Sequence, residues 1–455
     1  MIGQKQTEIL LEQVLSLSSA DETEAMLLGL EAQLTRFANN TIHQHVAETN
    51  HYVVVRAALG KRVGIGATND LTDAGLERAV EAAIAAAKLQ PENPGFPGLP
   101  EPAGAPAGVA FDEATAGCSP AERAQDVSVV CRKAEEAGCI AAGAFRTATH
   151  ELAVANNHGL FAYHPATEAD VTTVVMTGDN ASSGFAEDAS WKVKEVDVVA
   201  LGEEALEKAL RSRDPQPIEP GTYPVVLEPY ATHDLLATLA FAAGALPVQE
   251  GRSWMSGRRG ERLMSPLISI RDDGLDPDGW PLPFDFEGMP RQRVDIVREG
   301  IAGDVLYDRA RAAQDGENST GHALPPANPY NPWLNAARLG PIPLHASMST
   351  GDSTIEDMIA GTERGIYVTR FWYTRTVHPR EAVVTGMTRD GTFLIENGRL
   401  TTPMRNLRFT QSYVEALAGT EAVGRDAHRM WGGMGIRSAP ALKLVAFNFT
   451  GTTEF

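Results

Sequence analysis

Three histidines near the start of the chain have a spacing that suits metal ligation. His43 and His45 form an H-x-H pair in the segment TIHQHVAE, and His51 follows six residues after His45. Side chains two residues apart on a strand point to the same face, so the pair, with His51 as a third ligand, could bind a metal ion. The alternative, which we favour, is that these side chains line a surface between domains or subunits.

Two sets of carboxylates are candidates for acid and base catalysis: Asp272 with Asp273, and Asp285 with Glu287. They lie among Gly and Pro, where Asp commonly forms turns, and we favour that structural role. No G-x-S-x-G elbow places a serine nucleophile, and a Ser/His/Asp set chosen from 11 scattered histidines has no specificity without geometry. The segment VGIGAT has only G-x-G, which favours a hairpin strand over a phosphate loop.

The segment TRFWYTR, residues 369–375, alternates large and polar side chains as a strand does. The strand would place its residues on two faces: Arg370, Trp372 and Thr374 on one, and Phe371, Tyr373 and Arg375 on the other. Aromatic and Arg side chains are enriched at interfaces, and such a strand also suits a channel in which an extended peptide binds by strand addition. Ordinary sheet packing is an equally supported alternative.

Composition narrows the classes of function. The chain has 455 residues and a formal net charge of −20, which argues against a nucleic-acid surface because phosphate contacts need clustered Lys and Arg. The three cysteines lie in one stretch, form no CxxC pair and fit a reducing cytoplasm. We find no apolar run of about 18 residues, and the first 22 residues indicate an amphipathic helix, not a signal peptide.

The elements predict an α+β fold. Short β-like runs with turns at Asn39-Asn40 and Thr49-Asn50 fill residues 22–67 and indicate an antiparallel meander. Helices are predicted over 3–17, 72–89, 119–137, 200–212 and 231–243. Residues 91–108 are rich in Pro and Gly and form a loop. We predict an N-terminal α/β domain (1–215) with a meander sheet and helices, and a C-terminal β-rich domain (216–455) of antiparallel strands. Asp390-Gly391 and Asn397-Gly398 are hairpin signals there.

An ordered set of segments along nearly the whole chain resembles the TldD/PmbA family. The set comprises RFANNTIHQ (36–44), VGIGATNDLTDAGLERAVEAAIAAAK (63–88), EGRSWMSGRRGERL (250–263), RDDGLDP (271–277), PFDFEGMP (283–290), LYDRARAAQDGENSTGHALP (306–325), GDSTIEDMIAGTERGIYVTRFWYTRTVHPR (351–380) and TGMTRDGTFLIENGRLTTPMRNLRFTQS (385–412). The resemblance implies a subunit of a two-subunit zinc peptidase assembly. It also favours a surface role for His43, since the family's pattern includes that histidine without a metal duty.

The resemblance also allows a test for zinc. TldD-type subunits carry HExxxH on a helix that follows a VVL strand, and a downstream Cys is a third ligand. The strand here is 225–227, and the positions nearest the motif hold Ala237, Thr238 and Ala242. A register starting at His233-Asp234 puts Thr238 where the second His should be. No HExxH or HExxxH occurs in the chain, and no Cys lies near Trp431. The sequence therefore resembles the TldE/PmbA side, which lacks the motif.

These observations predict a non-catalytic, cytoplasmic subunit that takes part in proteolysis of unfolded or small peptides. It would hold no cofactor itself, and zinc is expected in a TldD-type partner with which it forms a heterodimer. A homodimeric peptide-binding scaffold and an autonomous peptidase with a divergent site are the alternatives. No nucleic-acid or membrane partner is expected. The candidate residues for the peptide channel or interface are Arg36, Asn39, His43, Arg252, Ser253, Arg370, Trp372 and Tyr373.

Overall fold

A tight turn at Asn39-Asn40 joins the first two strands of the first sheet. In this computed structural model, which describes residues 1–104, 106, 108–179 and 181–453, both asparagines are left-handed, with φ of 51° and 58°. Two-residue hairpins of this kind favour Asn because it tolerates positive φ. The predicted turn is confirmed. The predicted turn at Thr49-Asn50 is wrong, because both residues lie inside one continuous strand, Thr41–Leu59.

The first half of the chain forms a six-stranded antiparallel sheet with helices on one face. The strands, in the sheet order β3-β2-β1-β4-β5-β6, are β1 (Glu22–Ala38), β2 (Thr41–Leu59), β3 (Arg62–Thr68), β4 (Cys139–Asn156), β5 (Phe161–Thr177) and β6 (Ser183–Ser190). The helices are α1 (Gln4–Leu17), α2 (Asp73–Leu89), α3 (Glu113–Ala116), α4 (Pro120–Glu136) and α5 (Val198–Arg211), with a 3₁₀ turn at Val193–Glu195. The segment VGIGAT is β3, as predicted.

Local interactions define where these helices begin and how closely α2 packs on the sheet. Thr72 accepts a hydrogen bond from the backbone N–H of Gly75 at the start of α2, and Ser119 with Glu122 forms a capping box at the start of α4. Gly64 lets α2 approach closely, since a Cβ there would lie 2.1 Å from the carbonyl oxygen of Ala83. The opposite face of the sheet packs its apolar side chains against loops of the second half.

The second half is built on one mixed sheet. Its strands are β7 (Gly221–Leu227), β8 (Ile270–Asp272), β9 (Val294–Arg298), β10 (Ile301–Ala302), β11 (Ala346–Met348), β12 (Arg364–His378), β13 (Val383–Glu396), β14 (Arg399–Pro403), β15 (Leu407–Ser412), β16 (Thr420–Trp431) and β17 (Ile436–Thr452). Its helices are α6 (Pro229–Phe241), α7 (Ala245–Gln249), α8 (Arg309–Asp315), α9 (Ala336–Leu339), α10 (Ile355–Ala360) and α11 (Tyr413–Ala418), with a 3₁₀ turn at Pro379–Glu381. Pairing of β7 with both β12 and β17 closes β7, β12, β13, β15 and β17 into a ring.

The α+β class and the β-rich second half are confirmed, with two corrections. The second sheet is not purely antiparallel, since β7 pairs in parallel with β12 and β11 with β17. Asn397-Gly398 does form a hairpin, but Asp390-Gly391 lies inside β13 at an irregularity opposite Val368 and Arg370. An Asp-Gly pair with positive φ serves a bulge as well as a turn, so the local signal was ambiguous.

The Pro/Gly segment 91–108 contains no helix or strand among its described residues, while 105 and 107 lie outside the described part of the chain. The division of the chain at residue 215 stays a prediction. In the described ranges, no helix is both long enough and apolar enough to cross a membrane.

Candidate functional site

Helix α6 forms the floor of a long groove. Pro229 occupies its first turn, where a missing N–H costs nothing, and Leu235, Leu236 and Leu239 anchor its inner side in the core. Two cavities of about 520 Å³ each lie along the exposed side. They share four lining residues: Asp234, Ala237, Thr374 and Arg437. We call these two cavities together the α6 groove.

Asp234 ties three elements of the groove together. Its Oδ1 accepts a hydrogen bond of 2.5 Å from the Tyr413 hydroxyl of α11, and its Oδ2 accepts one of 2.7 Å from the Thr374 hydroxyl of β12. Burial raises the pKa of Asp234, and the two hydroxyl donors oppose that shift. Both carboxylate oxygens are thus committed to positioning the walls of the groove.

His233 precedes Asp234 and is held just as firmly. Its Nε2 donates a 2.9 Å hydrogen bond to the backbone carbonyl of His428 on β16. Burial lowers the pKa of His233 to about 3, so the ring is neutral at physiological pH. The ring therefore serves to join α6 to β16.

A distorted part of β12 forms one wall of the groove. Tyr373 has a positive φ of 57°, and the pairing of β12 with β13 shifts register between Trp372 and Arg375. A bulge of this kind re-aims side chains, and here Trp372 and Tyr373 are 40% and 66% exposed, respectively, while Phe371 is buried in the core. Both aromatic side chains line the groove. The predicted alternation is therefore wrong at Tyr373, which does not share a face with the buried Phe371.

Arg370 holds this wall in place through contacts with β13, β6 and Trp372. Its guanidinium pairs with Asp390 of β13, lies 3.8 Å from the ring centroid of Phe185 on β6, and lies 4.8 Å from that of Trp372. Cation–π contacts of this length are attractive. Arg370 thus connects the two halves of the chain and holds the Trp372 ring in place.

The other predicted candidates fall into three groups. Arg252 lines the far end of the α6 groove together with Ala237, Thr238 and Ala242. Ser253 is fully buried, and its hydroxyl donates to the carbonyl of Ala242 at 2.6 Å. Its prediction as a channel or interface residue is corrected, because it has no surface to present. Arg36, Asn39 and His43 are exposed at the tip of the β1–β2 hairpin and do not line the groove.

Two of the acid–base candidates, Asp272 and Asp285, take part in internal ion pairs and hydrogen bonds. The carboxylate of Asp272 is fully buried, 2.8 Å from Arg291 and 2.9 Å from His322 Nε2, and Arg291 is the chief stabilising influence that holds its pKa well below the usual range. Asp285 accepts three backbone N–H groups, from Glu287, Met289 and Ala323, and so ties loops together.

Sequence reasoning missed a third cavity, of about 440 Å³, between the first sheet and loops of the second half. Arg146 and His150 of β4 and Glu168 and Asp170 of β5 line it on the sheet side, and Trp280 and Trp431 line it on the other. A signal was present in the even-numbered charged positions of β4 and β5, which share one face. We call this the interdomain cavity.

Solved structures share the fold of this chain. TldE from Thermococcus kodakarensis superposes with a TM-score of 0.88 at 20% identity, covering 98% of this chain and 100% of that one. A putative modulator of DNA gyrase from Thermotoga maritima superposes with a TM-score of 0.86 at 17% identity, covering 98% and 100%. The fold is therefore TldE-like.

Family models and curated relatives lead to the same class. The PmbA/TldA metallopeptidase C-terminal domain matches residues 220–451, domain 1 of the same family matches 31–87, and the central domain matches 111–213. The chain belongs to the PmbA/TldD family. A Metalloprotease TldD homolog from Haemophilus influenzae is 24% identical over 255 residues, which cover 48% of this chain and 50% of that protein. An uncharacterised protein from Methanocaldococcus jannaschii is 39% identical over 115 residues, 24% of this chain and 28% of that protein. The chain spans about half or less of the length of these relatives.

Proposed function

We propose that this chain is the TldE/PmbA-type subunit of a TldD/TldE-type zinc metallopeptidase. It takes part in proteolysis of unfolded or small peptides without activating water itself. A TldD-type partner would supply the zinc ion and the water activated on it. This chain would hold an extended peptide in the α6 groove. Its three buried, unpaired cysteines suit a cytoplasmic location.

The observation that carries the proposal is the chemistry of α6. Zinc in proteins is bound by Cys, His or carboxylate side chains. Ala237 and Ala242 offer no ligand atom, and Thr238 offers only a hydroxyl. Within the described ranges, no group of three or more His, Cys, Asp and Glu is arranged to hold a metal ion. The residues present therefore do not fit zinc, although the family is that of a metallopeptidase.

The nearest potential ligands on α6 are already engaged. His233 donates a hydrogen bond from its Nε2 to the carbonyl of His428, and both carboxylate oxygens of Asp234 accept hydrogen bonds from hydroxyl groups. Moving the Asp234 carboxylate to a metal would break both of its hydrogen bonds, at a cost of about 1–3 kcal/mol for each group left unpaired. His233 alone is too few ligands to hold a zinc ion. The helix supports a scaffold role in this chain better than a catalytic one.

The backbone of β12 offers a way to hold a peptide. On one side, β12 pairs with β13 along most of its length, but on the other side β7 pairs only with Ile366, Tyr367 and Val368. Beyond Val368, no described strand pairs with that edge. An unpaired edge beside a groove is suited to binding an extended peptide by strand addition, with Trp372 and Tyr373 covering its side chains.

Reconstitution tests the proposal. The chain is mixed with an HExxxH-bearing family member from the same genome, and cleavage of an unfolded peptide is followed. We expect no cleavage by this chain alone, cleavage by the pair, and loss of cleavage with a chelator. Chelator-sensitive cleavage by this chain alone would favour the autonomous peptidase, and a stable homodimer that forms no complex with such a relative would favour the scaffold.

Substitutions in the β12 wall of the groove test, in the same assay, whether the peptide binds there. Trp372→Ala should raise the KM several-fold and leave kcat nearly unchanged, because an exposed ring that contacts bound peptide contributes binding common to ground and transition states. Val377→Ala is the matched control, since Val377 is an exposed apolar side chain on the same strand that does not line the groove. Equal KM values for Trp372→Ala and the unmodified chain would remove the groove from the account.

A further inference from the structure

One carboxylate of the interdomain cavity shares its only nearby cation with a second carboxylate. Arg146 pairs with Glu168, and His150 Nε2 lies 2.7 Å from the other oxygen of Glu168. Burial and the Arg146 cation lower the pKa of His150 to about 3, so this ring donates as a neutral group. The single positive charge of the cluster therefore lies closer to Glu168 than to Asp170.

Asp170 lies next to this pair on β5. Its Oδ2 is buried, is 3.8 Å from the Arg146 guanidinium and accepts no hydrogen bond, while 21% of the side chain is exposed to the cavity. A buried carboxylate without a hydrogen-bond partner is costly. A cation in the cavity, next to the exposed part of the Asp170 side chain, would offset the negative charge of this carboxylate.

The opposite wall is aromatic. The rings of Trp280 and Trp431 meet edge to face with centroids 5.4 Å apart, and the hydroxyl of Tyr330 is bonded to two backbone carbonyls of the first sheet. Ring faces attract ammonium and guanidinium groups. A cavity with an unsatisfied carboxylate on one side and indole rings on the other is suited to an organic cation on an apolar stem.

The interdomain cavity adjoins the α6 groove. Trp431 lines both the cavity and the half of the groove nearest β6, where Glu187 also lies. Burial, and then repulsion from Asp170, raise the pKa of Glu187 to about 7. The two carboxylates on either side of Trp431 therefore repel each other, and a bound cation would reduce that repulsion.

We propose that the interdomain cavity is a subsite for a positively charged group of the peptide, an ammonium or a guanidinium, held by Asp170 against the wall that Trp280 and Trp431 form. This inference rests on the proposed peptide groove, since the peptide reaches the subsite past Trp431. It makes this subunit selective for cationic peptides. The overall negative charge of the chain acts in the same direction, by attracting them.

Calorimetric titration of the full chain tests the subsite. The probes are blocked eight-residue peptides in which a single lysine is moved through the sequence, each paired with a twin that has norleucine at that position. For at least one position, the lysine peptide should bind about tenfold or more tightly than its twin, since a hydrogen bond to a charged group outweighs a neutral contact by that amount. Asp170→Asn should abolish the difference and leave the affinity of the norleucine twin unchanged.

Asp126→Asn is the matched control. Asp126 lies on α4, on the helix-covered face of the same sheet, and its replacement makes the same change of charge outside the cavity. The lysine preference should persist in this variant. Glu187→Gln is a second test variant, with a smaller expected loss of preference, and the comparison of peptide twins on the unmodified chain needs no variant at all.

The outcomes separate the two proposals. Equal binding of lysine and norleucine twins at every position, or a preference that survives Asp170→Asn, overturns the cation subsite and leaves the α6 groove standing. Absence of binding by both members of every pair overturns the peptide groove on this chain, and the subsite with it.

Discussion

The hydrogen bonds of Asp234 provide a quantitative test of how the groove is held open. Tyr413 is fully buried and donates to Asp234 Oδ1 at 2.5 Å, and Thr374 donates to Oδ2 at 2.7 Å. A hydrogen bond to a charged group contributes about 1.5–3 kcal/mol. Asp234→Ala removes both bonds and leaves two hydroxyls without this acceptor, so we expect a loss of about 3–6 kcal/mol in unfolding free energy. Tyr413→Phe removes one bond and should cost about 1.5–3 kcal/mol.

Urea unfolding monitored by circular dichroism measures these losses, and the double variant gives the coupling. The loss in the double variant should be smaller than the sum of the single losses, because both substitutions remove the same bond. Tyr223→Phe is the matched control: its hydroxyl donates to the Glu219 carbonyl at an exposed site, so the change should stay within about 1 kcal/mol. Additive losses for Asp234→Ala and Tyr413→Phe would refute the inference that these two groups are bonded.

Three further predictions concern packing, thiol chemistry and pH. Gly64→Ala should lower the unfolding free energy by about 1–3 kcal/mol, because its Cβ would meet the backbone of α2, whereas Gly451→Ala, at an open strand position, should have little effect on urea unfolding. A thiol reagent should react with none of Cys118, Cys131 and Cys139 in the folded chain and with all three in denaturant, because the thiols are buried and burial raises the pKa of the first two; rapid labelling of the folded chain would contradict this. Burial raises the pKa of Asp170 to about 6, so the carboxylate is about nine-tenths ionised at pH 7 and about one-tenth at pH 5. For a tenfold lysine preference, titration of lysine peptides should therefore show binding about fivefold weaker at pH 5, with the norleucine twins unchanged, and pH-independent binding of the lysine peptides would contradict the role of Asp170.

Other titratable groups around Asp170 either keep their charge between pH 5 and pH 7 or change it in the direction that also weakens binding of a cation. Arg146 stays charged and His150 stays neutral over this range, and protonation of Glu187 near pH 7 removes negative charge in the same direction as protonation of Asp170. The remaining titratable residues that line the cavity are Glu151, His164, Glu168 and Tyr330. Burial lowers the pKa of His164 to about 4 and raises that of Tyr330, so neither changes charge between pH 5 and pH 7.

Local signals located most of the elements. Helix α6 was predicted over 231–243 and is Pro229–Phe241, and the Asn39-Asn40 turn was placed correctly because positive φ has a clear sequence preference. Asp390-Gly391 misled because positive φ also serves a bulge. The parallel pairing of β7 with β12 has no local signal, since their paired residues are about 140 positions apart in sequence.

Some residues of the candidate site were likewise predictable from sequence and others were not. The aromatic wall at Trp372 and Tyr373 was found from a run of large side chains on one strand, and the degenerate positions of α6 from family resemblance. Ser253 was misjudged because sequence does not report burial. The interdomain cavity was missed because it combines charges from β4 and β5 with Trp280 and Trp431, which come together only when the two halves of the chain pack.

The central claim is that this subunit holds peptide and does not itself bind the catalytic metal. Its most direct test is the zinc content of the purified chain, measured by mass spectrometry after equilibration with excess zinc and desalting, alone and in complex with an HExxxH-bearing relative. We expect a zinc content close to zero for the chain alone and one zinc ion per heterodimer in the complex. One tightly bound zinc ion per chain in the isolated protein, removed by chelator together with a peptidase activity, would contradict it.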